Sequence, residues 1–554
     1  MTEYSDNLLC RVCYLLVYER IVVKPEASES PPAELAAPST RYADWALRNP
    51  LPCALAIQAA LLFYRLDLLE PWGDEWFNLT TVPQPLSQLP SLVARASYPP
   101  LYYLLVHFWI QIPWPASLLT KMRALSAVWT LLATIILDRL WLTKLEPRVR
   151  LMVLAMWVLS PCLLLYSRMA RYYTMVLALA LLTIYAASRW IQRPQSPRWL
   201  LAYSCSAGAL LYTHYLPGLV IMAAVWFVFM AKANLSPRWR LTLSAVPVLV
   251  VALLYLPWLS SLFGSVAVWR TSSPYQVNNL FIDQLVRIAY WFVSFSFGET
   301  ISAVGIVLGA ALTPAIGFAL YHGMQPRPRW IPLIAVASLL GYIGVSRWTA
   351  FPFTPARVLF ALPFFLMLLA KGIDASRRGP IVFAGLLLIY ICGDYNYFAK
   401  LGYLNKAYCS PYQEMASVIA HDSPASDATL FVDGYSSVSE PLLNRLGKRV
   451  RVISLDDEQS AEREMQTVRL ERSVWFWRHT HDTSPDKFVS RMEVQLAQGR
   501  SVRQYDYLPY SLPERWILRL VRGPGQPAYF YRLSEMKLMN ASSSGTPPHP
   551  HGKR

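Results

Sequence analysis

The sequence predicts an α-helical polytopic membrane protein of about 11 transmembrane helices, followed by a small soluble α/β domain. Three observations predict it. Of 554 residues, 55% are hydrophobic and 13% aromatic while only 15% are charged, a balance too apolar for a soluble domain of this size. Apolar stretches near the roughly 20 residues needed to cross hydrocarbon recur from residue 46 to 398, separated by short loops rich in Arg, Lys and Pro. Beyond residue 398 charged residues become frequent and the apolar runs shrink to strand length.

Residues 1–45 read as a disordered cytoplasmic tail. An early apolar run there is broken by Arg11, Glu19 and Arg20, which argues against a cleavable signal, and a Pro/Ala/Ser/Glu stretch follows. Cys10 and Cys13 form a CxxC without a second pair or a nearby His, too little for a metal or redox site. Of the seven cysteines, Cys53, Cys162, Cys205 and Cys392 fall inside apolar segments, where a free thiol acts as a small hydrophobe.

Within a membrane domain of residues 46–400, spans are expected near 47–65, 121–142, 150–166, 172–190, 199–213, 216–231, 241–261, 301–321, 331–346, 357–373 and 380–398. Basic residues sort the loops. Lys144, Arg148 and Arg150 follow the second span, Arg189, Arg193 and Arg198 the fourth, and Lys232, Arg238 and Arg240 the sixth; Arg327 and Arg329 follow the eighth, and Lys371, Arg377 and Arg378 the tenth. Every second loop is therefore basic, which assigns those loops to the cytoplasm and the C-terminal domain to the outside. The segment 98–112 (YPPLYYLLVHFWIQI) is short, contains His107, and as a crossing would put the basic 143–150 loop on the wrong side. It reads as an interfacial helix started by Pro99 and Pro100, with 285–297 as a second of that kind.

In the C-terminal domain, 401–538, helix-like segments (412–421, 440–446, 487–497) alternate with strand-like ones (429–432, 451–455, 474–477, 529–533). Asp433-Gly434 is a single glycine after a strand and falls short of a phosphate-binding fingerprint, so the domain is expected to contact acceptor or act as a lid. Residues 539–554 read as a disordered tail, whose Asn540 opens an N-x-S sequon of a kind common by chance. The net charge of +17 is spread over many loops with no long basic run, so topology explains it and a nucleic-acid partner is not expected.

The chemistry is confined by a scarcity of acidic residues. Between residues 77 and 282 the only ones are Asp138 and Glu146, both on the expected cytoplasmic side. The outer face keeps Asp67, Glu70, Asp74, Glu75, Asp283, Glu299 and Asp394. Asp74 and Glu75 are adjacent in the first outer loop among Trp72, Trp76 and Phe77. They could simply face water. Carboxylates near a bilayer are costly, however, unless they bind a cation or do acid/base work. Arg168 and Arg171 lie at the outer junction of the third and fourth spans, and Arg357 opens the tenth. Each could snorkel to lipid headgroups, but three on the carboxylates' side suggest a phosphate clamp, because the guanidinium fork matches phosphate oxygens.

Taken in order, WGDEW, YPPLYYLLVHFW, SRMARYYTMVLAL, LLYTHYLPG and PARVLFALPFFLMLLAKG resemble the GT-C superfamily of membrane glycosyltransferases over residues 45–400. More closely, they resemble bacterial relatives of protein O-mannosyltransferases and of the lipid A aminoarabinose transferase. The resemblance implies a GT-C-type helical bundle in the bacterial inner membrane. It implies a polyprenyl- or dolichyl-phosphate sugar as donor, and a glycan, lipid or protein hydroxyl as acceptor. By resemblance Asp74 is the general base, with Glu75 assisting it or holding a cation. Arg171 and Arg357, with Arg168 more weakly, match positions of positive charge near the donor phosphate. Tyr98, His107, Tyr172, His214 and Tyr215 are expected to line the substrate. A divalent metal is allowed but not required, since arginine can balance the phosphate. The rival reading is a transporter or lipid flippase, for which an internal repeat would be expected; no second copy of DEW or YPPLYY is visible.

Overall fold

The computed structural model describes residues 49–233, 235–264, 280–301, 303–324, 330–348, 354–423, 428–433, 442–446, 450–455, 458–468, 471, 473–479, 487–522 and 528–539. The expected tail at 1–45, all but Met539 of the one expected at 539–554, the Cys10–Cys13 pair and Gly434 lie outside these residues. The chain divides into two compact units, Met1–Leu68 with Asn78–Ser273 and Val286–Leu404, and Leu69–Phe77 with Pro274–Leu285 and Asn405–Arg554.

The first unit is a helical bundle, and the chain is an integral membrane protein. Its helices are α1 (Pro50–Phe63), the end of α2 (Gly73–Thr81), α3 (Leu89–Arg95), α4 (Leu101–Ile110) and α5 (Leu118–Ile136). Then come α6 (Pro147–Val158), α7 (Pro161–Ser167), α8 (Tyr173–Gln192), α9 (Pro197–Leu211), α10 (Tyr215–Lys232) and α11 (Pro237–Tyr255). Most of α12 (Leu280–Phe297), α13 (Ala303–Gly323), α14 (Trp330–Trp348), α15 (Leu362–Ala375) and α16 (Gly379–Phe398) complete it.

Proline starts many of these helices. It occupies the first turn of α1, α3, α6, α7, α9 and α11, where its missing N–H would have no partner anyway. Hydroxyl caps add to this: Ser117 accepts from Thr120 N ahead of α5, and Ser160 from Leu163 N ahead of α7.

Seven helical stretches among the described residues are long and apolar enough to cross a membrane: Leu118–Lys144, Tyr173–Gln192, Tyr215–Lys232, Pro237–Gly264, Gly305–Gly323, Pro355–Ala375 and Gly379–Phe398. The expected third span is a broken one, with α6 and α7 bent by 51° at Ser160. Its break follows from Pro161, which cannot continue the ladder of α6. Pro50–Phe63, Leu101–Ile110 and Pro332–Gly344 are shorter apolar helices, α4 being the one read as interfacial.

Polar ties fix the bundle internally. Arg150 grips the fully buried Asp138 with both Nε and Nη2, at 2.7 and 2.8 Å. Thr134 donates to Gln58 and accepts from the Trp157 indole, joining α1, α5 and α6.

The second unit carries a five-stranded sheet of β1 (Ala428–Val432), β2 (Val450–Ser454), β3 (Ser473–His479), β4 (Arg500–Pro509) and β5 (Tyr529–Leu538), in the order β2-β1-β3-β5-β4. β1 runs parallel to β2 and β3, whereas β5 is antiparallel to β3 and β4. Strand alternation splits the core in two. Leu430, Val432, Trp475, Trp477 and Leu533 pack on one face against α17 (Tyr412–Asp422). Phe431, Val474, Phe476 and Met536 face the other way, onto α18 (Glu458–Val468) and α19 (Lys487–Ala497). β4, α18 and α20 (Leu512–Arg522) were not foreseen. The α/β class is as expected.

Candidate functional site

The three arginines expected at the outer side separate according to what their surroundings offer. Arg168 and Arg171 are three residues apart in the break between α7 and α8, which sends their side chains to different places. Arg168, 2% exposed, turns to the C-terminal end of α1. Its Nη1 donates to the carbonyls of Leu61 and Leu62 at 2.7 and 2.9 Å, its Nη2 to Arg65 O at 2.6 Å, and its Nε to the Tyr397 hydroxyl at 2.9 Å. Three of its five N–H groups thus satisfy carbonyls at and just beyond the end of α1, and a fourth donates to a tyrosine hydroxyl in the last turn of α16. This is a structural brace, and it removes Arg168 from the expected phosphate clamp.

Arg171 is completely buried in a cage of aromatic rings. Its guanidinium lies 4.8 Å from the centroids of both Tyr98 and Tyr172, and its Nη1 reaches Asn78 Oδ1 and the Tyr103 hydroxyl, each at 3.4 Å. The Asn78 amide in turn donates to the carbonyl of Ala170. Tyr172 meets the His214 ring edge-on at 4.8 Å. His214 precedes the first turn of α10 in extended conformation and is 4% exposed. Burial, then the charges of Arg357 and Arg171, hold its imidazole well below the usual histidine range, so it is neutral at physiological pH.

Arg357 lies in a short 3-10 helix, Pro355–Ala361, and is 9% exposed. Its charge acts on the Tyr342 hydroxyl, as does that of Arg287. Arg171, His214 and Arg357 therefore form one buried cationic cluster, with Tyr98, Tyr103, Tyr172 and Tyr342 around it. The sequence reading had not singled out Asn78, Tyr103, Arg287 or Tyr342. Tyr103 lies within YPPLYY, but a run of tyrosines does not reveal which ring turns inward.

Two other expected substrate residues are occupied locally. The His107 Nδ1 lies 2.9 Å from Val82 O, so that nitrogen carries a proton and ties α4 to the end of α2. The Tyr215 hydroxyl accepts from the Trp258 indole at 3.3 Å.

Asp74 and Glu75 sit in the first turn of α2, where helix N–H groups favour negative charge. Glu75 is 1% exposed and Asp74 half-buried. By chain position both belong to the second unit, while Asn78, one turn further along the same helix, belongs to the first. In the second unit Glu70 is an anchor: it accepts from Gln413 N at 2.8 Å and pairs with Arg445 at 2.9 Å. Glu299 serves the first unit similarly, receiving the hydroxyls of Tyr166, Ser294 and Tyr290 at 2.7, 2.6 and 2.8 Å. Burial raises its pKa, against the lowering effect of those three donors. Among the described residues no group of three or more His, Cys, Asp or Glu is placed to hold a metal ion.

No protein-family model and no curated protein matches this sequence. Solved structures do match in shape. ArnT from Cupriavidus metallidurans in the apo state superposes with a TM-score of 0.50 at 12% identity, covering 90% of this chain and 98% of its own. The same protein bound to undecaprenyl phosphate gives 0.46 at 13% identity, covering 90% and 99%. The archaeal oligosaccharyltransferase AglB from Archaeoglobus fulgidus, in complex with an inhibitory peptide and a dolichol-phosphate, gives 0.43 at 12% identity, covering 79% and 70%. The overall fold of this chain is thus that of apo ArnT, as the GT-C resemblance implied.

Proposed function

We infer that this protein is a glycosyltransferase that moves a sugar from a polyprenyl-phosphate donor to a hydroxyl acceptor at the outer face of the bacterial inner membrane, with inversion. The observation that carries this reading is the buried pair Arg171 and Arg357 beside a neutral His214, walled by tyrosines. Two guanidiniums held in a low-dielectric, aromatic-lined space suit a phosphate oxyanion. A neutral imidazole adds hydrogen-bonding capacity without a third charge. The GT-C-type fold supports the class of reaction.

In the proposed reaction the acceptor oxygen attacks the anomeric carbon as Asp74 takes the hydroxyl proton. The bond from that carbon to the phosphate oxygen breaks, and its electron pair leaves with the lipid phosphate. Arg171 and Arg357 stabilise the charge that develops there. Glu75, buried next to the base in the chain, assists it.

The test uses detergent-purified protein and a panel of polyprenyl-phosphate sugars, with glycan, lipid and peptide acceptors. Mass spectrometry is expected to find the glycosylated acceptor and free polyprenyl phosphate in equal amounts. Donor that binds but is never consumed, with every acceptor in the panel, overturns the reading.

A further inference from the structure

Among the described residues, α20 carries an apolar stripe that stays exposed. Leu512, Trp516 and Leu520, at i, i+4 and i+8, line one stripe with Ile517 beside it. With the whole chain present, Leu512 is 74% exposed, Trp516 64%, and Ile517 and Leu520 42% each. Arg515 and Arg519 border the stripe, so the helix is cationic at the edge of its apolar face. The first turn is pinned by Glu514, which pairs with Lys406 at 2.9 Å. Lys406 lies eight residues beyond the end of the last span, Gly379–Phe398, so the chain itself tethers α20 close to where it leaves the bilayer.

We propose that α20 is a membrane-surface helix, its Leu512–Trp516–Leu520 stripe seated in the headgroup and acyl boundary and Arg515 and Arg519 on anionic phospholipid headgroups. An exposed apolar stripe of this kind on a chain already held at a bilayer gains by entering the interface, where tryptophan is at home and arginine finds phosphate. Charge complementarity selects an anionic lipid surface over a second copy of this basic protein, whose net charge is +17. Glu514 faces away from the stripe, which lets it hold Lys406 without entering the bilayer. The helix then fixes how the C-terminal domain stands on the membrane.

The test uses the full chain with its seven native cysteines replaced, reconstituted singly into nanodiscs of phosphatidylcholine alone or mixed with phosphatidylglycerol. An environment-sensitive fluorophore is attached at Leu512→Cys, Trp516→Cys or, as a water-exposed control on α18, Gln459→Cys. In the mixed lipid the labels at 512 and 516 are expected to shift to the blue and to be quenched by spin-labelled lipid, while the label at 459 is not. Replacing Arg515 and Arg519 together by Gln is expected to lower the embedded-to-free ratio by about tenfold or more in the anionic discs and little in the neutral ones, since each basic residue near an anionic surface contributes roughly fivefold. Labels at 512 and 516 that behave like the one at 459 in both lipids overturn the proposal. So does a blue shift without lipid quenching that grows with protein concentration, which would assign the stripe to a second copy of the chain.

Discussion

At the scale of single residues, two arginines three positions apart are given opposite work by what lies next to them. Arg168→Ala is expected to strip three carbonyls at the end of α1 of a charged donor and to cost about 3 kcal/mol or more of stability, seen as a lowered unfolding temperature in detergent. Arg171→Ala should instead weaken donor binding by about 1.5–3 kcal/mol, the scale of a charge-assisted hydrogen bond, and Arg171→Lys should restore only part of it. The same holds for Arg357→Ala. Donor binding that is normal in both variants would remove the clamp. Asp74→Asn, which keeps size and hydrogen bonding but cannot take a proton, should lower single-turnover transfer by roughly a hundredfold or more while donor binding survives.

His214 supplies a pH dependence with a definite sign. Its folded pKa is depressed, chiefly by burial, so the unfolded chain takes up a proton first as pH falls through the ordinary histidine range near 6.5. The stability due to the neutral imidazole is fully present above that value and is lost as pH falls toward the folded pKa. His214→Gln should therefore show a flatter fall in unfolding temperature between neutral pH and about pH 5 than the parent protein does; superimposable curves would refute the neutral imidazole.

At the scale of elements, close helix contact rests on two glycines. A Cβ on Gly372 of α15 would lie 1.7 Å from the Ala319 carbonyl of α13, and one on Gly323 of α13 would lie 2.0 Å from the Leu368 carbonyl of α15. The two helices thus meet where each glycine faces a carbonyl of the other helix, the close backbone approach that small residues allow between membrane helices. Gly372→Ala should force the pair apart and cost about 1–3 kcal/mol, read as an earlier loss of the monodisperse peak on heating. An unchanged melting profile would refute the contact. The spans themselves were legible because hydrophobic runs and prolines are local signals. The bend at Ser160 was half-legible, since Pro161 announces a break but not its angle. The edge strand β4, RSVRQYDYLP, was missed because an edge exposes most of its side chains and so shows no buried alternation. α20 was missed because a stripe of Leu, Trp and Leu among arginines reads as polar when averaged along the chain.

At the scale of the whole molecule, the order of motifs was enough to indicate the fold, whereas the composition of the cluster around Arg171 was not. Tyr342 is 171 residues away from it in sequence, and Arg287 is 116; only packing brings them near. The grouping of helix ends by charge fared better, because side chains of the first unit now tie ends that the basic-loop alternation had placed together. Arg148, in the first turn of α6, pairs with Asp374, at the end of α15, at 3.4 Å. On the other side Arg168 joins the end of α1 to Tyr397 near the end of α16.

Which of these sides faces the cytoplasm is decided by the Lys/Arg bias alone, and it is open to a direct test. In a cysteine-free background, Gln459→Cys lies on the exposed side of α18, and Ser196→Cys in the loop between Arg193 and Arg198. A membrane-impermeant thiol reagent applied to intact cells should label position 459 at once and position 196 only after permeabilisation. The two positions belong to different units, so a single misplaced loop cannot produce both results. The reverse pattern would place Arg171, His214 and Arg357 at the cytoplasmic surface, and with them the end of the bundle to which a lipid-phosphate donor is proposed to bind. Labelling of both positions without permeabilisation would mean that an odd number of spans separating them has been misread, and the short helix α9 would be the first to re-examine, since its 15 residues are fewer than the roughly 20 a straight crossing requires.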